Sequence, residues 1–305
     1  MKIFITGSSG FLGKNLTRVL EPYFELHHMK ADLRDHSDVE KELLSADPDM
    51  ILHMAARTEV QKSFVEQISF SEINYVGTIN LIESASKLKN LKNFVFASTM
   101  EVYGWHPISD EVKINGKPKN FVLFDENTPT NPNCPYAVAK LGCENYLQYA
   151  GRSYGLPFTI IRQTNAYGRN DNDYFVTEQI ITQMLKNKKS INLGYAEPYR
   201  NFIYVSDMMD MYKAVIENYQ KCIGKTFTIG PDKAVKIKDY AEIIAQKLNW
   251  SGQILWNKKD PRPGEIYWLC SNYKLLNETI GWEPKVSLSD GLDQTIKIWQ
   301  NILND

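Results

Sequence analysis

Residues 4–16 read FITGSSGFLGKNL, an apolar run that passes into a helical segment through Gly7, Gly10 and Gly13. Glycine is costly inside regular structure, so three of them at this junction signal that something comes close to the backbone. A strand before the turn and a helix after it is the setting in which such glycines cradle a dinucleotide. Gly7 then makes the tight turn, Gly10 admits a pyrophosphate, and Gly13 lets helix pack on strand. The helix N-terminus adds free N–H groups and positive dipole for the anion.

Working outward, the same strand-to-helix alternation repeats. The runs KIFITG, DMILHMAA, NFVFAST, FTIIRQT and KTFTIG read as strands, with longer segments of helical period between them. Strands apolar on both faces predict a parallel sheet covered by helices, and right-handed crossovers predict an α/β, Rossmann-like doubly wound fold. After about Thr164 the chain becomes more polar and loop-rich, while FIYVSD and KTFTIG look like strands returning to the sheet. This predicts a dinucleotide-binding domain from residues 1–163 and 203–229, interleaved with a smaller lobe from 164–202 and 230–305.

At 305 residues the chain suits one large α/β domain with a smaller partner. A net charge of −1 provides no field for nucleic acid or an anionic membrane, so neither is an expected partner. Cys134, Cys143, Cys222 and Cys270 show no CxxC spacing, which reads as reduced thiols with no metal site and makes the cytoplasm the expected compartment.

Tyr136 and Lys140 in CPYAVAKLG stand four apart, sharing a helix face. An ammonium near a phenol favours the phenolate and makes tyrosine usable for proton transfer. Upstream, FASTMEVYG brings polar residues out at the carboxyl end of a strand, where open α/β sheets place their sites.

ITGSSGFLG at the N-terminus, together with YxxxK, resembles the extended short-chain dehydrogenase/reductase family and its NAD(P)-dependent nucleotide-sugar epimerases and dehydratases. The resemblance runs along nearly the whole chain. It implies Tyr136 as acid/base, Lys140 as its tuner and nicotinamide-ribose ligand, and Thr99 as the donor orienting the reacting sugar oxygen. It also places Phe11, Leu12, Asp32, Leu33, Ala55, Ala56 and the helix asparagine Asn74 with the glycines around the dinucleotide. Dehydratases of the family commonly carry Asp–Glu after the threonine; here Met100 stands in place of the aspartate and Glu101 keeps the carboxylate. This ranks hydride transfer at C4 of a nucleotide sugar, as 4-epimerase or 4-keto reductase, above 4,6-dehydration with Glu101 as base. A non-catalytic dinucleotide sensor would keep the glycine turn but have no use for Thr99, Tyr136 and Lys140. A reductase of small carbonyl compounds would have no use for the arginines that follow.

Similarity continues in RQTNAYGRN, YRNFIYVSD and DPRPGE, which implies that Asn165, Arg200 and Arg262 hold the substrate diphosphate. Guanidinium suits that task because its fork meets phosphate oxygens bidentately. Arg169 replaces the family's usual proline after YG. At the end of the second strand, His27, His28 and Lys30 occur and no carboxylate, a slight lean toward NADP over NAD. The polar stretch between VYGW and NCPYAVAK is a long loop placed to cover the sugar. Homodimerisation through a four-helix bundle is also implied, with Ile79, Ile82, Leu141 and Tyr149 as exposed faces.

Overall fold

Strand alternation sets the layers of the protein, whose computed structural model describes residues 1–257 and 263–304. β1 (Lys2–Thr6), β2 (Glu25–His28), β3 (Met50–His53), β4 (Asn93–Thr99), β5 (Phe158–Gln163) and β6 (Lys225–Ile229) form one parallel sheet in the order β6-β5-β4-β3-β1-β2. Ile3, Ile5, Leu52, Val95, Ile161 and Phe227 face α1 (Phe11–Leu20) and the helix Val205–Glu217. Phe4, Ile51, Phe94, Phe96 and Ile160 face α2 (His36–Ala46), α3 (Gly77–Ala85) and α4 (Pro135–Tyr154). Both faces are dry, as expected of parallel strands covered by helices.

The chain runs from β1 outward to β2, then back past β1 to β3. Strand order therefore reverses between β1 and β3, and the crevice at their carboxyl ends is where a doubly wound sheet takes its ligand. The expected fold class is observed.

KTFTIG returns to the sheet as β6, paired with β5 from Lys225↔Thr159 to Ile229↔Gln163. FIYVSD does not. Phe202–Tyr204 pairs instead with Asn165–Tyr167, because β6 already occupies the free edge of β5. Tyr199–Arg200 lies between Val235–Lys236 and Trp268–Leu269 in a separate three-stranded sheet. One apolar cluster runs from the α1 face into this second lobe, through Ile180, Tyr240, Trp282 and Leu292.

The long stretch after Trp105 is partly helical, over Pro107–Asn115, and is fastened to the second lobe. Phe124 bridges Ser271, and Trp268 donates its indole N–H to the Val122 carbonyl at 2.8 Å. Among the described residues no helix is long and apolar enough to cross a membrane.

Candidate active site

The glycine turn is built as its spacing predicts. Gly7 has φ +69°, and a Cβ there would lie 2.6 Å from the Ala55 amide nitrogen, so only glycine fits. A Cβ on Gly13 would fall 2.1 Å from the Gly7 carbonyl oxygen. Gly13 thus seats α1 against the turn itself, more than against the strand. Gly10 differs: it is exposed, and a Cβ would meet only the Gly7 oxygen at 3.3 Å. That open cradle, above the unpaired N–H groups of α1, is where an anion can approach.

Next to the turn lies a cleft of about 200 Å³ lined by Thr6, Gly7, Met29, Ala31, Asp32, Leu33, Arg34, Ala55 and Ile73. Phe11 and Leu12 open α1 at its edge, and Ala56 follows Ala55 along the loop after β3. Asp32 is half exposed and grips Arg34, whose guanidinium holds its carboxyl down to about 2.

Sequence reading missed Glu42. From α2, its carboxylate takes the His27 ring N–H at 2.8 Å and the backbone N–H groups of Lys30 and Ala31. The tip of β2 therefore carries a negative charge after all. That charge opposes a 2′-phosphate and works against the lean toward NADP.

Asn74 is fully buried in the π-turn Glu72–Val76. Its side chain is committed to Arg57: Oδ1 accepts from the Arg57 N–H at 2.8 Å and Nδ2 donates to the Arg57 carbonyl at 2.9 Å. It fixes the loop after β3.

The helix bearing Tyr136 starts at Pro135, which occupies the first helical position, and the Cys134 sulfur caps the Ala137 N–H at 3.4 Å. β4 delivers the facing groups. Alternation sends Ser98 into the core, onto the Glu144 carboxylate, and leaves Thr99 at the cleft. The Thr99 hydroxyl accepts the Glu101 N–H at 3.1 Å, which starts a short turn at Met100–Tyr103. Thr99, Glu101 and Tyr136 come together here. Burial pushes the Tyr136 phenol above its usual value; its hydrogen bond with Thr99 opposes that, and the nearby Glu101 charge adds to it.

The expected depression of the phenol by Lys140 is absent. Lys140 Nζ is turned away, donating to the Ala97 carbonyl at 2.8 Å and lying 4.5 Å over the Phe96 ring. Burial pulls its own pKa down to about 8. The penalty for burying this ammonium is full below that value and vanishes as pH rises past the ordinary 10.5. At about 1.4 kcal/mol per unit it amounts to about 3 kcal/mol. Lys140→Met should therefore be more stable than wild type at neutral pH, with the advantage shrinking by about that amount by pH 10.5, where denaturant titrations at each pH would follow it.

Met100 does not reach the cleft. It is 2% exposed and packs with Tyr103, Ile108, Phe124 and Trp268 in an apolar cluster. On the substrate side, Asn165 is exposed, and its strand partner Phe202 lies two residues beyond Arg200. Arg200 is buried and pairs with Glu265 at 3.3 Å. Arg262 lies outside the described residues. The adjoining segment is held by Asn133, whose amide donates to the Gly264 carbonyl.

Comparison with known proteins agrees with this architecture. A sequence profile described as GDP-mannose 4,6 dehydratase matches residues 21–295. The dTDP-glucose 4,6-dehydratase 1 of Escherichia coli K12 is 27% identical over 340 residues, covering 97% of this chain and 92% of its own. The UDP-glucose 4-epimerase of Thermotoga maritima, solved with UDP-glucose, superposes with a TM-score of 0.85 at 25% identity, over 99% of this chain and all of the other. The dTDP-glucose 4,6-dehydratase DesIV of Streptomyces venezuelae shares the fold with a TM-score of 0.84 at 23% identity, over 99% of this chain and 97% of its own. With the profile spanning most of its length, the chain belongs to the GDP-mannose 4,6 dehydratase family, an enzyme family of the extended short-chain dehydrogenase/reductase type.

Proposed function

We propose that the protein binds a nicotinamide dinucleotide, NAD or NADP, at the Gly7–Gly10–Gly13 turn and acts on C4 of a nucleotide-diphosphate sugar. The Gly10 cradle, the cleft along Asp32, Leu33 and Ala55, and the reversal of strand order between β1 and β3 fit the dinucleotide. When bound, the nicotinamide supplies hydride acceptance and return. Tyr136 takes the proton of the sugar C4 hydroxyl and Thr99 orients that oxygen. Lys140 holds a buried positive charge one helical turn away, and Asn165, Arg200 and Arg262 hold the substrate diphosphate.

One observation carries the choice of reaction. The side chain that would supply a second acid beside Thr99 is Met100, which is enclosed in an apolar cluster and has no proton to give a departing hydroxyl. Epimerisation or 4-keto reduction needs none. Glu101 supports a second reading, 4,6-dehydration, since its charge reaches Tyr136 and it could remove a C5 proton. Incubation with GDP-, UDP-, dTDP- and CDP-hexoses, with products followed by mass and proton NMR, separates the two. We expect an isobaric C4 epimer or a change of two hydrogens; loss of water would establish the dehydratase.

The proposed dimer rests on apolar side chains left exposed beside the site. Val76, Val138 and Tyr149 face outward, Ile79 and Leu141 are half-buried, and Ile82 is withdrawn into the core beneath α3, where it packs in the same cluster as Phe94. Sedimentation should give twice the chain mass, and Val138→Arg should give the monomer mass.

A further inference from the structure

Arg169 stands where the resembling family has proline, and no role assigned above uses it. Its guanidinium carbon lies 4.1 Å from the centre of the Phe11 ring on one side and 3.9 Å from that of Phe175 on the other. Phe11 is the first residue of α1, whose free N–H groups and Gly10 cradle form the anion end of the turn. The backbone is fixed as firmly as the side chain: the Gly168 and Arg169 N–H groups both donate to Glu178 Oε1 at 3.0 Å.

Among the described residues the guanidinium itself is left without a hydrogen-bond acceptor. Its Nε is buried and unpartnered, and among the described residues no hydrogen bond is made by its terminal nitrogens. The Glu178 carboxylate does not take it; Oε1 serves the two amides, and Oε2 is also buried without a partner. Two aromatic faces steady a cation but offset only part of what its desolvation costs. Burial lowers the arginine's pKa, and the nearby Glu178 and Asp171 charges only partly oppose it.

We propose that Arg169 is a diphosphate-binding residue of the coenzyme cleft, pressed against the glycine-turn helix by Phe11 and Phe175 so that its unused donors meet the pyrophosphate of the dinucleotide. The proposal rests on the dinucleotide reading above. Guanidinium suits the task because its planar fork stacks on rings while its edge meets phosphate oxygens. A substrate diphosphate has the same chemistry; seating on Phe11 favours the coenzyme.

The test titrates NADH and NADPH by fluorescence, and UDP and GDP by calorimetry, into wild type, Arg169→Met and Arg169→Lys at low salt. Methionine keeps the stacking and removes the donors. We expect the Met variant to bind the better dinucleotide about ten-fold more weakly. Lysine should recover part of the loss, nucleoside diphosphate affinity should hold, and the melting temperature without ligand should not fall. Undiminished dinucleotide affinity in the Met variant, or a loss confined to the nucleoside diphosphates, overturns the assignment while the dinucleotide reading stands. Wild type binding neither dinucleotide overturns both.

Discussion

Tyr136→Phe should lower turnover of the nucleotide sugar about 10³-fold while leaving dinucleotide affinity nearly unchanged, since a positioned proton-transfer group is typically worth 10²- to 10⁴-fold. The phenol touches Thr99 and feels Glu101, so losing its oxygen removes the base while the buried ring keeps its seat. The pH profile adds a second test. Burial and Glu101 raise the Tyr136 pKa, so the reactive phenolate becomes more abundant as pH rises, and wild-type kcat/KM should climb with pH through the neutral range. The Phe variant should lose that climb. Glu101→Gln removes a nearby negative charge, lowers the phenol's pKa and should move the rising limb to lower pH with most of the activity retained. If Glu101→Gln instead abolishes turnover at every pH, Glu101 is the base of an elimination and the C4-redox reading fails.

What was legible in the sequence is what local chemistry encodes. Gly7 and Gly13 announce the turn because backbone approach there leaves no other residue type, and Gly10 between them marks the open cradle. Strand alternation marked β1, β3, β4, β5 and β6, and the spacing of Tyr136 and Lys140 placed both on one turn of α4. Long-range contacts were not legible. Glu42 reaches the tip of β2 from the next helix, so the strand's own end shows no carboxylate in sequence. Lys140 was read beside a phenolate, but the Ala97 carbonyl and the Phe96 ring hold its ammonium. Phe202–Tyr204 has strand composition, and only the prior claim of β6 on the edge of β5 keeps it off the main sheet. Met100 read correctly as incapable of acid chemistry, but its enclosure under Phe124 and Trp268 required the fold.

The largest effect on stability should come from Arg162→Met, at about 3–5 kcal/mol of unfolding free energy. Arg162 on β5 holds Glu144 on α4 through Nε and Nη2, at 3.1 and 2.7 Å, and its Nη1 donates to the Tyr103 hydroxyl. Glu144 is fully buried, and its other oxygen accepts from Ser98. Removing the guanidinium strands a carboxylate with one neutral donor in an apolar layer, which costs far more than the pair contributes. Replacing both, as Arg162→Met with Glu144→Leu, leaves no charge behind and should recover most of the loss in urea titrations. A single variant costing under about 1 kcal/mol would mean that water reaches the carboxylate once the guanidinium is gone, against its burial. The pair also bears on catalysis. Ser98 and Glu144 tie β4 to α4, so they set how Thr99 stands against Tyr136. The double variant should thus regain stability yet keep a lowered kcat, the mark of a site held in register by a contact that never touches the substrate.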